Sequence, residues 1–128
     1  MSALPHLAAF GTLLAESRHP AVVYAGADGL IAFWNRGAEA VFGHSAADAL
    51  GKRLDLIVPE EYRALHWTGF DRTIGSHWRG STAWGPVPGL HRNGEQVALE
   101  VFLVPFRGED ERVEAVMALF RPSSDGTN

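Results

Sequence analysis

Cysteine is missing from all 128 residues. That excludes disulfide frameworks, thiolate metal sites, cysteine nucleophiles and any photochemistry that attaches a flavin to a cysteine. Positive charge is scarce as well: the formal net charge is −4, with no cluster or stripe of lysine and arginine. A nucleic-acid surface is therefore not expected. No apolar run approaches the roughly 20 residues that cross a bilayer, and no basic segment leads an apolar stretch into a small-residue cleavage site. A cytoplasmic protein without membrane contact is expected. The apolar fraction of 46% and charged fraction of 20% are those of one globular domain around one core.

Read along the chain, residues 2–16 place Leu4, Leu7, Phe10, Leu13 and Leu14 at three- and four-residue spacings, an amphipathic helix weakened by Gly11. Pro20 disfavours helix at His19. "AVVYAG" and "GLIAFWN" then join at Asp28-Gly29, a strong hairpin signal. The pattern turns helical over 36–42, breaks at Gly43, and resumes in a second short helix capped by Ser45 and ended by Gly51. Pro59 suits the first position of a third helix, with Glu60 and Glu61 favourable in its first turn and Gly75 as its stop. Strands follow over 77–87, 96–106 and 112–121, turned at Asn93-Gly94 and at Gly108-Glu109-Asp110. The sum is an α+β domain, an antiparallel sheet of about five strands with short helices on one face.

The order and the motifs together resemble the PAS sensor domain family of the S-box type. The matching pieces are "DGLIAFWNRGAEAVFGHSAADALGKRLDLIVPEE", "HRNGEQVALEVFLVPF" and "VEAVMALFR". The resemblance implies the PAS fold over residues 18–121, a flanking helix over 1–17 and a tail over 122–128. It implies a sensor or regulatory role in signal transduction rather than an enzyme, a homodimer, and an effector kinase or transcriptional regulator as output. Such folds hold haem, flavin, small metabolites or nothing.

On the helix expected over 60–74, Tyr62, His66, Gly69, Phe70 and Thr73 share one face. Gly69 costs about 1 kcal/mol of helix propensity, which points to a need for room beside His66. "PEEYRALHWTGFDR" resembles the corresponding helix of the haem-PAS oxygen-sensor kinases of the FixL type. That resemblance implies haem b with His66 as iron ligand, Arg72 at a propionate and a diatomic gas, O2 first, as ligand. Where those sensors carry an arginine on the following strand, this chain reads "HWRGSTAWGPVP". Trp84 stands nearest that position as a donor to bound gas, with Arg79 and His77 behind it. The alternatives are a cofactor-free dimerisation or interaction module and a pocket for a flavin or small metabolite. Trp34, Trp67, Trp78 and Phe70 read first as packing residues.

Other chemistry has little support. The six histidines, at 6, 19, 44, 66, 77 and 91, show no metal-ligand spacing. Glu60-Glu61 and Glu109-Asp110-Glu111 read as a helix start and a solvated turn, and no serine stands in a nucleophile elbow.

Overall fold

Five strands form one antiparallel sheet in the computed structural model, which describes residues 11–17 and 19–123. They are β1 (Ala21–Gly26), β2 (Ile31–Trp34), β3 (Gly85–Leu90), β4 (Gln96–Arg107) and β5 (Val113–Pro122), ordered β2-β1-β5-β4-β3. The near-continuous apolar run "EAVMALF" belongs to β5, the middle strand, as expected of a strand covered on both faces. Helices α1 (Arg36–Phe42), α2 (Ala46–Ala49) and α3 (Arg63–Thr73), with tight 3-10 turns at Leu54–Ile57 and Glu60–Tyr62, fill the connection from β2 to β3. Residues 11–16 are helical; the expected earlier turns of that helix, with Leu4, Leu7 and Phe10, lie outside the described residues, as does the tail beyond 123.

Local chemistry places these elements. Gly29 takes φ +76° at the first turn, and the Asp28 carboxylate accepts from the Leu30 N–H. Asn35 ends β2 and caps α1: its Oδ1 accepts from the backbone N–H groups of Val22 (2.8 Å) and Ala38 (2.9 Å). Its amide nitrogen donates to the carbonyls of Leu14, Ser17 and Pro20. One buried side chain thus ties the entry segment, β1 and α1 together. Ile31, Trp34, Phe42, Leu99 and Phe120 form the centre of the core, with the Phe42 ring edge-on to Phe120 at 5.2 Å.

Two boundaries differ from the sequence expectation. The helix expected over 60–74 is divided, because the Tyr62 N–H bonds the Pro59 carbonyl three residues back and Tyr62 itself has φ −106° and ψ 0°. Regular α-helix therefore starts at Arg63 and ends at Thr73, just ahead of Gly75 at φ +82°. The strand expected over 77–87 starts only at Gly85. Before it the chain turns away at Gly80 (φ +103°), and Ser81 is held to Leu103 through its N–H and its hydroxyl. Pro86 and Pro88 lack the N–H that a central strand needs, so β3 is an edge strand. Among the described residues no helix is long and apolar enough to cross a membrane.

Candidate functional site

The sheet presents alternate side chains to the helices, and α3 crosses that inner face with His66, Trp67, Phe70 and Thr73 half-buried and no residue fully buried. Between them lies a cavity of about 430 Å³, inside the range of small-molecule sites. Its sheet wall is Val23 and Ala25 of β1, Val87 and Pro88 of β3, Val101 and Leu103 of β4, and Val116, Ala118 and Phe120 of β5. Leu54, Ile57 and Val58 close one side; α3 supplies Leu65, His66, Gly69, Phe70 and Thr73; Tyr62 and Trp78 flank it. Leu65 is 73% exposed and Tyr62 41%, which places the mouth at the start of α3. No charged side chain is in the lining.

His66 is the one imidazole in this wall. Its Nδ1 is buried and has no hydrogen-bond partner among the described residues, and buried polar atoms are rarely left so. The Trp67 ring meets it edge-on at 4.9 Å and 75°, and the Phe70 ring stacks at 6.1 Å and 29°. Burial pushes the His66 pKa below its ordinary 6.5, against the opposing pull of the Asp55 charge. The ring is therefore neutral at pH 7 and keeps a lone pair.

This shift has a consequence for stability. The unfolded chain takes up a proton at His66 near pH 6.5 while the folded chain resists it, so stability present above that pH is lost as pH falls through the folded-state value. Replacing His66 with glutamine is expected to flatten part of the acid side of a urea-midpoint profile. The His44 contribution stays, since burial and then the Arg92 charge lower that group too. An unchanged profile in the variant contradicts the assignment.

The structure brings Tyr62, His66, Gly69, Phe70 and Thr73 together on the cavity wall, as their shared helix face implies. It does not bring Arg72 or Trp84 there. Arg72 is exposed and outside the lining, because it projects from another side of α3. Trp84 packs on Phe102 (5.7 Å) and under the Arg121 guanidinium (4.1 Å). Phe102 and Arg121 alternate with the cavity-facing Val101, Leu103 and Phe120, so Trp84 stands on the opposite face of the sheet. Its expected role as donor to a bound gas is corrected accordingly. Arg79 and His77 are outside the lining as well, and His77 Nδ1 instead pairs with the Glu111 carbonyl at 3.3 Å. Trp78, read from the sequence as packing, does line the cavity; an irregular segment gave no periodicity from which to see it.

Gly69 is non-essential for the backbone: a Cβ there meets nothing within 4 Å. Changing Gly69 to alanine is expected to stabilise the free protein by about 0.5–1 kcal/mol through helix propensity. The same methyl enters the cavity wall and is expected to weaken uptake of a planar ligand. Thermal melts and ligand titrations of the one variant should move in opposite directions; a destabilised free protein contradicts this.

Among the described residues no three or more His, Cys, Asp or Glu side chains converge. A haem group asks for less: one neutral imidazole and apolar walls spaced for a flat ring. The unpartnered His66 nitrogen, the uncharged lining and the open space at Gly69 suit the iron and the porphyrin body, and the lining holds no cation for the propionates.

Fold and cavity together define an α+β sheet domain with an internal small-molecule pocket beneath one short helix. Residues 15–125 match the family model described as PAS fold, and the chain belongs to that family. Its structure is similar to a PAS domain from Colwellia psychrerythraea at TM-score 0.74 and 20% identity, covering 94% of this chain and 98% of that one. It is similar to a PAS domain from a two-component sensor histidine kinase (TM-score 0.69, 15% identity, 96% and 100% covered). A light-oxygen-voltage domain studied with a flavin analogue matches at TM-score 0.62 and 14% identity, with 98% and 87% covered. At these identities the likeness is one of fold. No curated protein sequence matches the chain. A PAS domain is typically a sensor or regulatory module in signalling, and this chain is one of that kind.

Proposed function

We propose that this PAS domain holds haem b through His66 and responds to a diatomic gas, with O2 as the first candidate. The observation that carries the reading is the His66 imidazole itself. It is walled by Trp67 and Phe70, burial disfavours its charged form, and its buried Nδ1 has no hydrogen-bond partner among the described residues. Bound haem supplies an iron centre at which a diatomic ligand can bind.

The chain supplies the rest. His66 offers the ligating lone pair, and the Val and Ala side chains of β1, β4 and β5 exclude water. Gly69 leaves the space beside the ring. Thr73 Oγ1 already donates to the Gly69 carbonyl. Tyr62 and Trp78 are then the lining residues whose O–H and indole N–H are uncommitted among the described residues. They replace Trp84 as the donors within reach of a polar ligand. A shift of α3 on binding passes to the sheet, and from there to a second copy or an effector kinase or regulator.

Flavin, which the light-oxygen-voltage neighbour suggests, is less well served. The lining offers no side-chain amide for the polar edge of the isoalloxazine, and the sequence has no cysteine for a covalent adduct. The test is a titration of the free protein with haemin. Saturation at one equivalent with a sharp Soret band is expected. Graded uptake without saturation contradicts the proposal and leaves the cofactor-free interaction module as the reading.

A further inference from the structure

No residue of α3 is fully buried and none belongs to the core cluster, so the core does not by itself set the rotation of the helix about its own axis, and hence the aim of His66. Something else must. Two side chains tie the helix to the 3-10 turn at Leu54–Ile57 and the Val58 that ends it. The Arg63 guanidinium donates to the carbonyls of Val58 (3.0 Å) and Asp55 (3.3 Å). The Trp67 indole N–H donates to Asp55 Oδ1 at 2.6 Å. Asp55 is the shared anchor: its other carboxylate oxygen accepts from Arg53 at 3.4 Å.

The indole is confined on its remaining sides. The Arg53 guanidinium lies over it at 4.5 Å, an arrangement that favours a cation against a ring face. Gly29 (φ +76°) comes so close beneath it that a Cβ there stands 2.6 Å from the ring. The indole lies 4.9 Å from the His66 ring at a steep angle, and Phe70 packs against both rings. The carboxylate itself is held ionised: burial pushes its pKa up, but the bonds from Trp67 and Arg53 and the charges of Arg53 and Arg63 outweigh this and keep it below the ordinary 3.8.

We propose that Trp67, locked by the Asp55 carboxylate, is the positioning residue for the His66 imidazole. Neither residue is in the cavity lining. Their effect is exerted through the ring they hold in place, as outer partners orient a ligand. The proposal rests on the haem reading for its consequence in binding, and not for the placement of the ring.

The experiment uses ring carbon–proton spectra of the histidines in the free protein, with His66 assigned from His66→Gln. In wild type, ring contacts between His66 and Trp67 are expected in a single environment. Asp55→Asn keeps an oxygen that accepts from the indole and should preserve them. Asp55→Ala and Trp67→Phe should lose that environment and average the His66 shifts, while the other histidine rings stay as they were. In the haemin titration Asp55→Ala should bind about tenfold more weakly or worse, and Asp55→Asn close to wild type. Should Asp55→Ala fail to fold, Trp67→Phe against Asp55→Asn decides the matter. If His66 keeps its wild-type shifts and contacts in Trp67→Phe and Asp55→Ala, the positioning role is wrong. If wild type takes up no haem stoichiometrically, the haem reading fails, and the ring spectra still decide the positioning.

Discussion

Replacing Asn35 with alanine is expected to lower the stability of the free protein by about 3–5 kcal/mol, judged by the cost of leaving buried polar groups unpaired. The side chain is 1% exposed and bonds five backbone groups in three segments of the chain, the entry segment, β1 and α1. Its oxygen serves the Val22 and Ala38 N–H groups, and its nitrogen serves the carbonyls of Leu14, Ser17 and Pro20. Alanine removes all five bonds at once; the Leu14 and Ser17 carbonyls keep the N–H groups of Ser17 and Gly37, while the Val22 and Ala38 N–H groups and the Pro20 carbonyl lose the Asn35 amide. Against a total of about 5–15 kcal/mol for a domain, the loss leaves a marginal fold. Urea denaturation at neutral pH measures it directly. A decrease below about 1 kcal/mol would mean that water replaces the amide, contrary to its burial.

The second large effect separates function from stability. His66→Ala is expected to weaken haem binding by about a hundredfold or more, since loss of an outer partner alone costs 10–100-fold. The free protein should hold its melting temperature or gain slightly. The imidazole brings into the fold a buried Nδ1 with no partner among the described residues, and removing such a group relieves a desolvation cost. Added imidazole, which can enter the space left in the wall, should restore part of the binding. A structural histidine behaves the other way: its removal destabilises the free chain.

The sequence made the turns and the helix face legible because both are local. Asp28-Gly29, Gly43, Gly75 and Asn93-Gly94 declare positive φ or tight turning within a residue or two. Tyr62, His66, Gly69, Phe70 and Thr73 converge through helical spacing alone, even though their first turn is 3-10 rather than α. Trp84 could not be placed the same way. Its face depends on where β3 begins, and a strand alternates faces at every residue, so an early start misassigns the side. The Asp55–Trp67 bond was also hidden. It joins residues 12 apart across two 3-10 turns, a path with no period to read. Asn35 was recognisable as a cap for the next helix, but its reach back to Leu14, Ser17 and Pro20 depends on the folded path of the entry segment.

The claim that His66 is the residue meeting the cofactor is tested most directly by resonance Raman spectroscopy of the ferrous, haem-loaded protein. An iron–histidine stretching band should be present in wild type, absent in His66→Ala, and regained when imidazole is added to that variant. A band of equal intensity in wild type and His66→Ala would assign the iron to another residue and contradict the account.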